Sequence, residues 1–351
     1  MIRIDETRTA IQDYYGRVLG SSQDLRTGAC CTPEQVPARF RPLLARIHPE
    51  VSERFYGCGV PIPPALEAMT VLDLGCGTGR DCYLLSQLVG ETGRVIGVDM
   101  TEEQIECARS HRDWHARQFG HRRSNVEFHR GFIEELAPLG IEAESIDVVV
   151  SNCVFNLSPD KARLFAEIFR VLKPGGELYF SDVFADRRIP AELRSDPVLL
   201  GECLAGALYG EDFRRLLDGC GCSDVRELSN SPVEILDPEI EARIGMVRFT
   251  SRTLRAFKVE FEDRCEDFGQ VATYLGSIEG APHAFVLDDH HRFEAGRPER
   301  VCGNTAGMLG ATRYAPHFRI DGDRSTHFGL FDCGPGGGDE RAVTGTPAGC
   351  C

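Results

Sequence analysis

The chain reads as an α/β protein: a parallel sheet flanked by helices, then a region of different period. Three observations predict this. From residue 70 onward, short runs rich in β-branched and aromatic residues alternate with helical stretches. A glycine turn, Gly75-Cys76-Gly77-Thr78-Gly79, follows the first of these runs directly. Asp99 closes the second run twenty positions after Gly79, where a carboxylate reaches the ribose hydroxyls of a nucleoside.

The first 69 residues form an N-terminal helical appendage. Residues 6–20 place Ile11, Tyr14, Tyr15, Val18 and Leu19 on one helical side. A polar loop with Cys30-Cys31 follows, then a short helix over 41–55 and the turn Tyr56-Gly57-Cys58-Gly59. Residues 70–184 form the cofactor domain. Its strands are expected at 70–74, 95–99, 126–130, 146–152 and 176–183, and its helices at 79–89, 101–118 and 159–172. Lys173-Pro174-Gly175-Gly176 is a turn before the last of these strands. Right-handed crossovers would leave a ligand crevice at the strand C-termini.

Residues 185–264 complete the sheet. Here 190–220 reads as largely helical, including the small-residue run Gly201–Tyr209, and 252–259 as a last strand. Residues 265–351 form a C-terminal domain with β-like runs at 271–278, 283–287 and 317–321, and a flexible tail ending in Cys350-Cys351.

Composition narrows the function. With 42% hydrophobic and 26% charged residues, the 351-residue chain has ample core. A net charge of −15 argues against nucleic-acid and anionic-membrane partners. No apolar run reaches spanning length and the N-terminus has no apolar signal region, so a cytoplasmic monomer is expected. Fifteen cysteines are unusual there, and a reducing compartment argues against a structural disulfide framework. With no Cys-x-x-Cys and no His-Glu-x-x-His, no metal site is expected.

The glycine turn has the spacing Asp-x-Gly-x-Gly-x-Gly, with Asp73 before the first glycine. A pyrophosphate would not tolerate that carboxylate. The ammonium of an amino-acid moiety would, which favours S-adenosylmethionine over a dinucleotide.

The motifs narrow it further. Asp73–Gly79, Val98-Asp99-Met100, Ser151-Asn152-Cys153-Val154-Phe155-Asn156-Leu157, Lys173-Pro174-Gly175-Gly176-Glu177-Leu178 and Gly201-Glu202-Cys203-Leu204-Ala205-Gly206-Ala207-Leu208-Tyr209 resemble arsenite methyltransferases over about residues 8–260. That resemblance implies a Rossmann-like class I methyltransferase sheet, an arsenic-binding region within 185–264 and detoxification as the role. It also implies that Asp73, Gly75, Gly77 and Gly79 surround the amino-acid end and that Asp99 holds the ribose. Met100 would pack on adenine, Ile133 and Glu134 would sit at its edge, Asn152 would line the crevice, and Tyr56 would flank the cofactor.

Four family cysteines have counterparts at Cys30, Cys58, Cys153 and Cys203, with Cys31 leaving the first open by one position. The resemblance implies that Cys58, Cys153 and Cys203 hold trivalent arsenic, a thiophilic centre that carboxylates would hold poorly. Cys203 would come from a small-residue helix. It implies too that a cysteine pair, Cys30 with Cys58, re-reduces arsenic and is reopened by an external thiol such as glutathione or thioredoxin. Arsenite and methylated arsenicals are then the expected partners. Two other readings of the residues stay open: a methyltransferase for a small organic acceptor, and a thiol-rich metalloid-binding protein. Cys82 and Cys107 are expected in the core and Cys76 to be merely small enough for its turn. Cys220-Gly221-Cys222 and the terminal Cys350-Cys351 could bind or deliver thiophilic metalloids.

Overall fold

The computed structural model describes residues 8, 9, 11, 12, 14, 36–55, 57–194 and 196–332. Cys30, Cys31, Tyr56 and the tail with Cys350 and Cys351 lie outside the described residues.

Apolar runs without polar alternation belong in strands buried on both faces. Thr70–Leu74 (β1), Arg94–Asp99 (β2), Val126–Arg130 (β3), Ile146–Asn152 (β4) and Leu172–Ala185 (β5) pair in parallel, in the order β3-β2-β1-β4-β5. The crossovers use Arg80–Val89 (α1), Glu102–Ser110 (α2), Arg112–Phe119 (α3) and Lys161–Val171 (α4). The last begins at Asp160, whose carboxylate accepts the Arg163 N–H at 3.0 Å, and it buries Leu164, Phe165, Ile168 and Phe169 on one face.

Several expectations are corrected. The helix over 41–55 is two single turns, Arg41–Leu44 and Pro49–Ser52, the second opened by Pro49 at its first position. The helix over 101–118 breaks at His111, which leaves helical geometry with ψ near 2°. Lys173–Gly176 does stand out of the ladder: pairing with β4 jumps from Ile146↔Leu172 to Val148↔Glu177.

Residues 190–220 are not largely helical. The segment holds a turn at Ala191–Leu193, a five-residue helix Pro197–Gly201, a loop with Cys203, a short strand Leu208–Tyr209 (β6) and a helix Gly210–Asp218 (α5). Leu208 pairs with Phe184 of β5, and a Cβ on Gly206 would run into the Asn156 carbonyl, so tertiary contact overrides helical propensity. The sheet is also mixed rather than parallel. Val225–Pro232 (β7) and Phe249–Phe257 (β8) add antiparallel strands beyond β5, and β7 went unrecognised in the sequence.

The C-terminal region packs a small sheet of Val271–Tyr274 (β9), Pro298–Arg300 and Phe318–Asp321, with a hairpin Ala284–Val286/Arg292–Glu294, around Phe285, Phe293, Tyr314 and Phe318. It is tied to β8 by Arg255. This fully buried guanidinium donates to Glu177 Oε1 (2.6 Å), the Leu287 carbonyl (3.0 Å) and Tyr314 Oη (2.6 Å). Such a charge is tolerable inside only because every partner is present.

Candidate active site

Gly75 and Gly77 adopt left-handed backbone at φ 75° and 53°, folding the chain back from β1 to α1. At Gly77 an added Cβ would meet only Gln104 Oε1, at 4.0 Å, so its bare backbone faces open space. That space is a cleft of ≈ 1000 Å³, mouth included. Asp73, Gly75, Gly77, Asp99, Met100, Ile133, Glu134, Asn152 and Cys153 line it. Gly79 does not line it. Its φ is 85°, and a Cβ there would strike the Phe128 ring at 2.7 Å, so this third glycine seats α1 against β3.

Asp99 accepts N–H bonds from Gly77 (3.0 Å) and Thr101 (2.8 Å), and burial raises its pKa. Asp73, 4% exposed, accepts the Cys82 thiol at 3.2 Å. Burial, with Asp81 and Asp99 nearby, pushes the Asp73 carboxyl up to about 8.

The sequence reading passed over Arg8, Phe55, Arg80 and Asp81, which also line the cleft. Arg80 pairs with Asp81 at 2.9 Å and lies over the Phe55 ring at 3.1 Å. Arg8 pairs with Glu134 at 3.2 Å and lies over Phe132 at 3.8 Å. Those cations are spent on those acids. Among the described residues, Asp73 and Asp99 have no cation at ion-pair distance. Arg8, Arg54 and Arg80 face Asp73, Asp81, Asp99 and Glu134 across the cleft, and Asp73 and Asp99 stand beside bare backbone as acceptors for the ammonium and hydroxyls of a nucleoside carrying an amino-acid tail. An Asp in the first turn after the glycines was a legible hint of Asp81.

At one end of the cleft the cysteines converge. Asn152 Oδ1 accepts the N–H groups of Cys58 (3.0 Å) and Gly59 (3.1 Å), and its Nδ2 donates to the Gly59 carbonyl (2.9 Å) and to Asp81 (3.1 Å). Ser251 of β8 donates to the Cys58 carbonyl at 2.9 Å. This clamp brings the Cα atoms of Cys58 and Cys153 to 5.8 Å, and the two share a disulfide. Cys203 donates its thiol to the Cys153 carbonyl at 2.9 Å.

Both Cys153 (φ 57°) and Cys203 (φ 64°) lie in the left-handed region, an uncommon and costly state for a residue with a Cβ. A bond from the Cys153 N–H to the Ser181 carbonyl at 2.8 Å helps hold it there. Cys203 thus arrives from a loop rather than from a helix. The expected set of three thiols is present as one thiol and one disulfide, and Cys58 has Cys153 as its partner. The Cys30 half of the expected pair lies outside the described residues, as does Tyr56.

Beneath the sulfurs, Asp182 accepts from Phe155 N (2.9 Å), Asn156 N (3.3 Å), Asn156 Nδ2 (2.7 Å) and Val183 N (2.8 Å). Burial pushes its carboxyl up to about 7. Lys161 donates to the carbonyls of Asn156 (3.3 Å) and Ser158 (3.1 Å), and burial lowers it to about 8. Elsewhere Cys82 and Cys107 are core residues as expected. Cys222 is buried too, its thiol pushed up to about 12, so it is poorly placed to take a metalloid. Cys265 is a third disulfide-bonded cysteine besides Cys58 and Cys153, so a disulfide outside the cysteine cluster is present where none was expected.

A sheet parallel from β1 to β5 and closed by antiparallel β8 and β7, a glycine turn at the end of β1, a carboxylate at the end of β2 and a cleft between them define a class I methyltransferase. Residues 66–221 match the model of a methyltransferase domain, and residues 268–332 match that of the arsenite methyltransferase C-terminal domain. An arsenite methyltransferase of Aquipseudomonas alcaligenes is 54% identical, covering 97% of this chain and 99% of that one. The human arsenite methyltransferase is 44% identical, over 91% and 85% of the two chains. A solved arsenic(III) S-adenosylmethionine methyltransferase from Chlamydomonas reinhardtii superposes with a TM-score of 0.82 at 54% identity, covering 85% of this chain and all of that one. The chain belongs to the arsenite methyltransferase family. Among the described residues no helix is long and apolar enough to cross a membrane.

Proposed function

We propose that this protein transfers methyl groups from S-adenosylmethionine to trivalent arsenic held by Cys58, Cys153 and Cys203, first as arsenite and then as methylarsenite. The observation that carries the reading is the meeting of these three cysteines, far apart in sequence, at the end of the cofactor cleft. When bound, the cofactor supplies an electrophilic methyl group on a positively charged sulfur. Asp73 takes its ammonium and Asp99 its ribose hydroxyls. Met100, Ile133 and Glu134 bound the adenine, with Arg8 closing over Glu134.

The arsenic lone pair forms the As–C bond while the C–S bond of the sulfonium breaks, leaving a neutral thioether and pentavalent arsenic. No general base is needed, because the nucleophile is a lone pair rather than an X–H bond. Orientation supplies much of the rate, worth about 7–11 kcal/mol for well-placed reactants. Two cysteine thiolates then give up two electrons, becoming a disulfide and returning arsenic to the trivalent state. Cys58 is one of the pair, with Cys153 or Cys30 as the other. An external thiol of the glutathione or thioredoxin class opens the bond by exchange and so restores the ligand set.

The test is product speciation from purified enzyme supplied with arsenite, S-adenosylmethionine and glutathione. Cys203→Ser is expected to lose methylation of both arsenite and methylarsenite while still binding cofactor. Near-normal turnover of either substrate by that variant would overturn the assignment. Release of S-adenosylhomocysteine that does not depend on an arsenical would point to an organic acceptor instead.

A further inference from the structure

Outside the cofactor cleft, four aromatic side chains gather where the N-terminal segment meets α2 and α3. The rings of His48 and His111 stack with centroids 3.9 Å apart. Trp114, the sole tryptophan, stands edge-on to His48 at 5.0 Å and to His115 at 4.9 Å. Glu50 reaches in from the same segment as His48, and its Oε2 contacts His111 Nε2 at 3.0 Å.

One ligand atom each from His48, Glu50 and His111 can be chosen so that all three lie within 4.8 Å of one another. A zinc ion with bonds of about 2.0–2.1 Å in tetrahedral geometry sets neighbouring ligand atoms roughly 3.4 Å apart. The His111–Glu50 contact, at 3.0 Å, is close to that spacing; His48 Nδ1 accepts the Glu50 N–H at 3.3 Å, which leaves its Nε2 for the ion.

A further histidine holds the two ligand-bearing backbones in place. His115, 1% exposed and stacked on Tyr83 at 3.5 Å, accepts the His48 N–H on Nε2 at 3.1 Å. Its Nδ1 faces the His111 carbonyl at 2.9 Å and donates to it. With Nε2 accepting and Nδ1 donating, His115 is fixed in one tautomer. His111 itself sits at the break between α2 and α3, where the chain leaves helical geometry. Two imidazoles and an exposed carboxylate, with a buried histidine anchoring the backbone of both imidazoles, are a donor set suited to borderline metal ions once His48 turns out of its stack on His111.

We propose that His48, Glu50 and His111 bind a divalent transition ion of the zinc class, clipping the N-terminal segment to α2. On binding, the ion takes the place of the direct His111–Glu50 contact, and water fills its remaining coordination positions. The clip has a mechanical consequence. The segment it fixes runs through Val51, whose carbonyl accepts the Thr78 hydroxyl at 2.8 Å, to Phe55 over Arg80 and on to Cys58. An occupied site therefore steadies the chain that carries Cys58 into the cleft. The other mixed acid and histidine cluster, Asp288 to His290, offers less: the Asp288 carboxylate is already taken by Arg226 at 2.9 Å and by the His290 and His291 N–H groups. The proposal is independent of the arsenic reading.

The experiment is titration of the reduced full-length protein with cobalt(II), followed by visible absorption and by quenching of Trp114 fluorescence. One equivalent is expected to give a cobalt spectrum without thiolate charge-transfer bands, together with quenching. Glu50→Gln, at a side chain 54% exposed and so harmless to packing, is expected to weaken binding at least about tenfold, and His111→Asn more. S-adenosylmethionine binding serves as the check that each variant is folded. Affinity unchanged in Glu50→Gln and His111→Asn would overturn the proposal. So would a cobalt complex showing only thiolate bands, or no bound cobalt at all.

Discussion

Asp73→Asn separates what the cofactor cleft costs from what it does. In the folded chain the Asp73 carboxyl is pushed from 3.8 to about 8, mainly by burial. Below pH 3.8 folded and unfolded chains both carry the proton, and burial of this group exacts no ionisation cost. As pH rises above that, the unfolded chain ionises and the folded one does not, so stability falls by about 1.4 kcal/mol per pH unit until the folded pKa is reached. Between pH 5 and pH 8 the loss is therefore about 4 kcal/mol. Asparagine has the same shape and no proton to lose. Urea unfolding of wild type and Asp73→Asn without cofactor, at pH 5 and pH 8, isolates this group because every other titration is common to both proteins. The variant is expected to gain on wild type steadily across that range, by a few kcal/mol in all, while cofactor affinity drops. A stability difference between the two proteins that is constant with pH, or that shrinks as pH rises, would refute the placement of a buried protonated carboxyl at this site.

Two further outcomes follow from the geometry. Asn152→Ala removes three bonds to the backbone of Cys58 and Gly59, worth about 1 kcal/mol each, which converts to a Cys58–Cys153 potential roughly 60 mV less negative. Equilibration against glutathione redox buffers measures it, and a shift within about 10 mV would remove the clamp from the account. Arg8→Ala loses an ion pair to buried Glu134 and a ring contact to Phe132, so KM for the cofactor is expected to rise about fivefold to tenfold with kcat little changed. Steady-state kinetics with varied S-adenosylmethionine decides it; an unaltered KM would mean that Arg8 does not help to hold the cofactor.

The cofactor half of the site was legible because its signals are local. Val71 to Gly79 encodes strand, turn and helix start within one stretch, and the left-handed glycines have few conformations compatible with their neighbours. Asp99 sits at the end of a strand whose boundaries are equally plain. The elements that went astray are those decided by distant contacts. Gly201–Tyr209 has the small residues of a helix, but Leu208 finds a strand partner in Phe184 and Gly206 lies against the Asn156 carbonyl. The Val225–Pro232 strand exists because β8 offers it a ladder, and the Gly79 side of the turn faces Phe128 rather than the cleft.

The sequence by itself determined the chemical inventory: a nucleoside-binding turn, a surplus of carboxylates and cysteines in recognisable settings. Only the tertiary structure decided which of them meet. Asn152 pairs Cys58 with Cys153 across 95 positions, and the loop after Pro197–Gly201 brings Cys203 to the Cys153 carbonyl. The same holds for His48 and His111, which carry no ligand spacing in sequence and stack only because two elements pack. Hydrogen-bond patterns between strands, unlike the turns that end them, are properties of pairs of segments, and no single segment carries them.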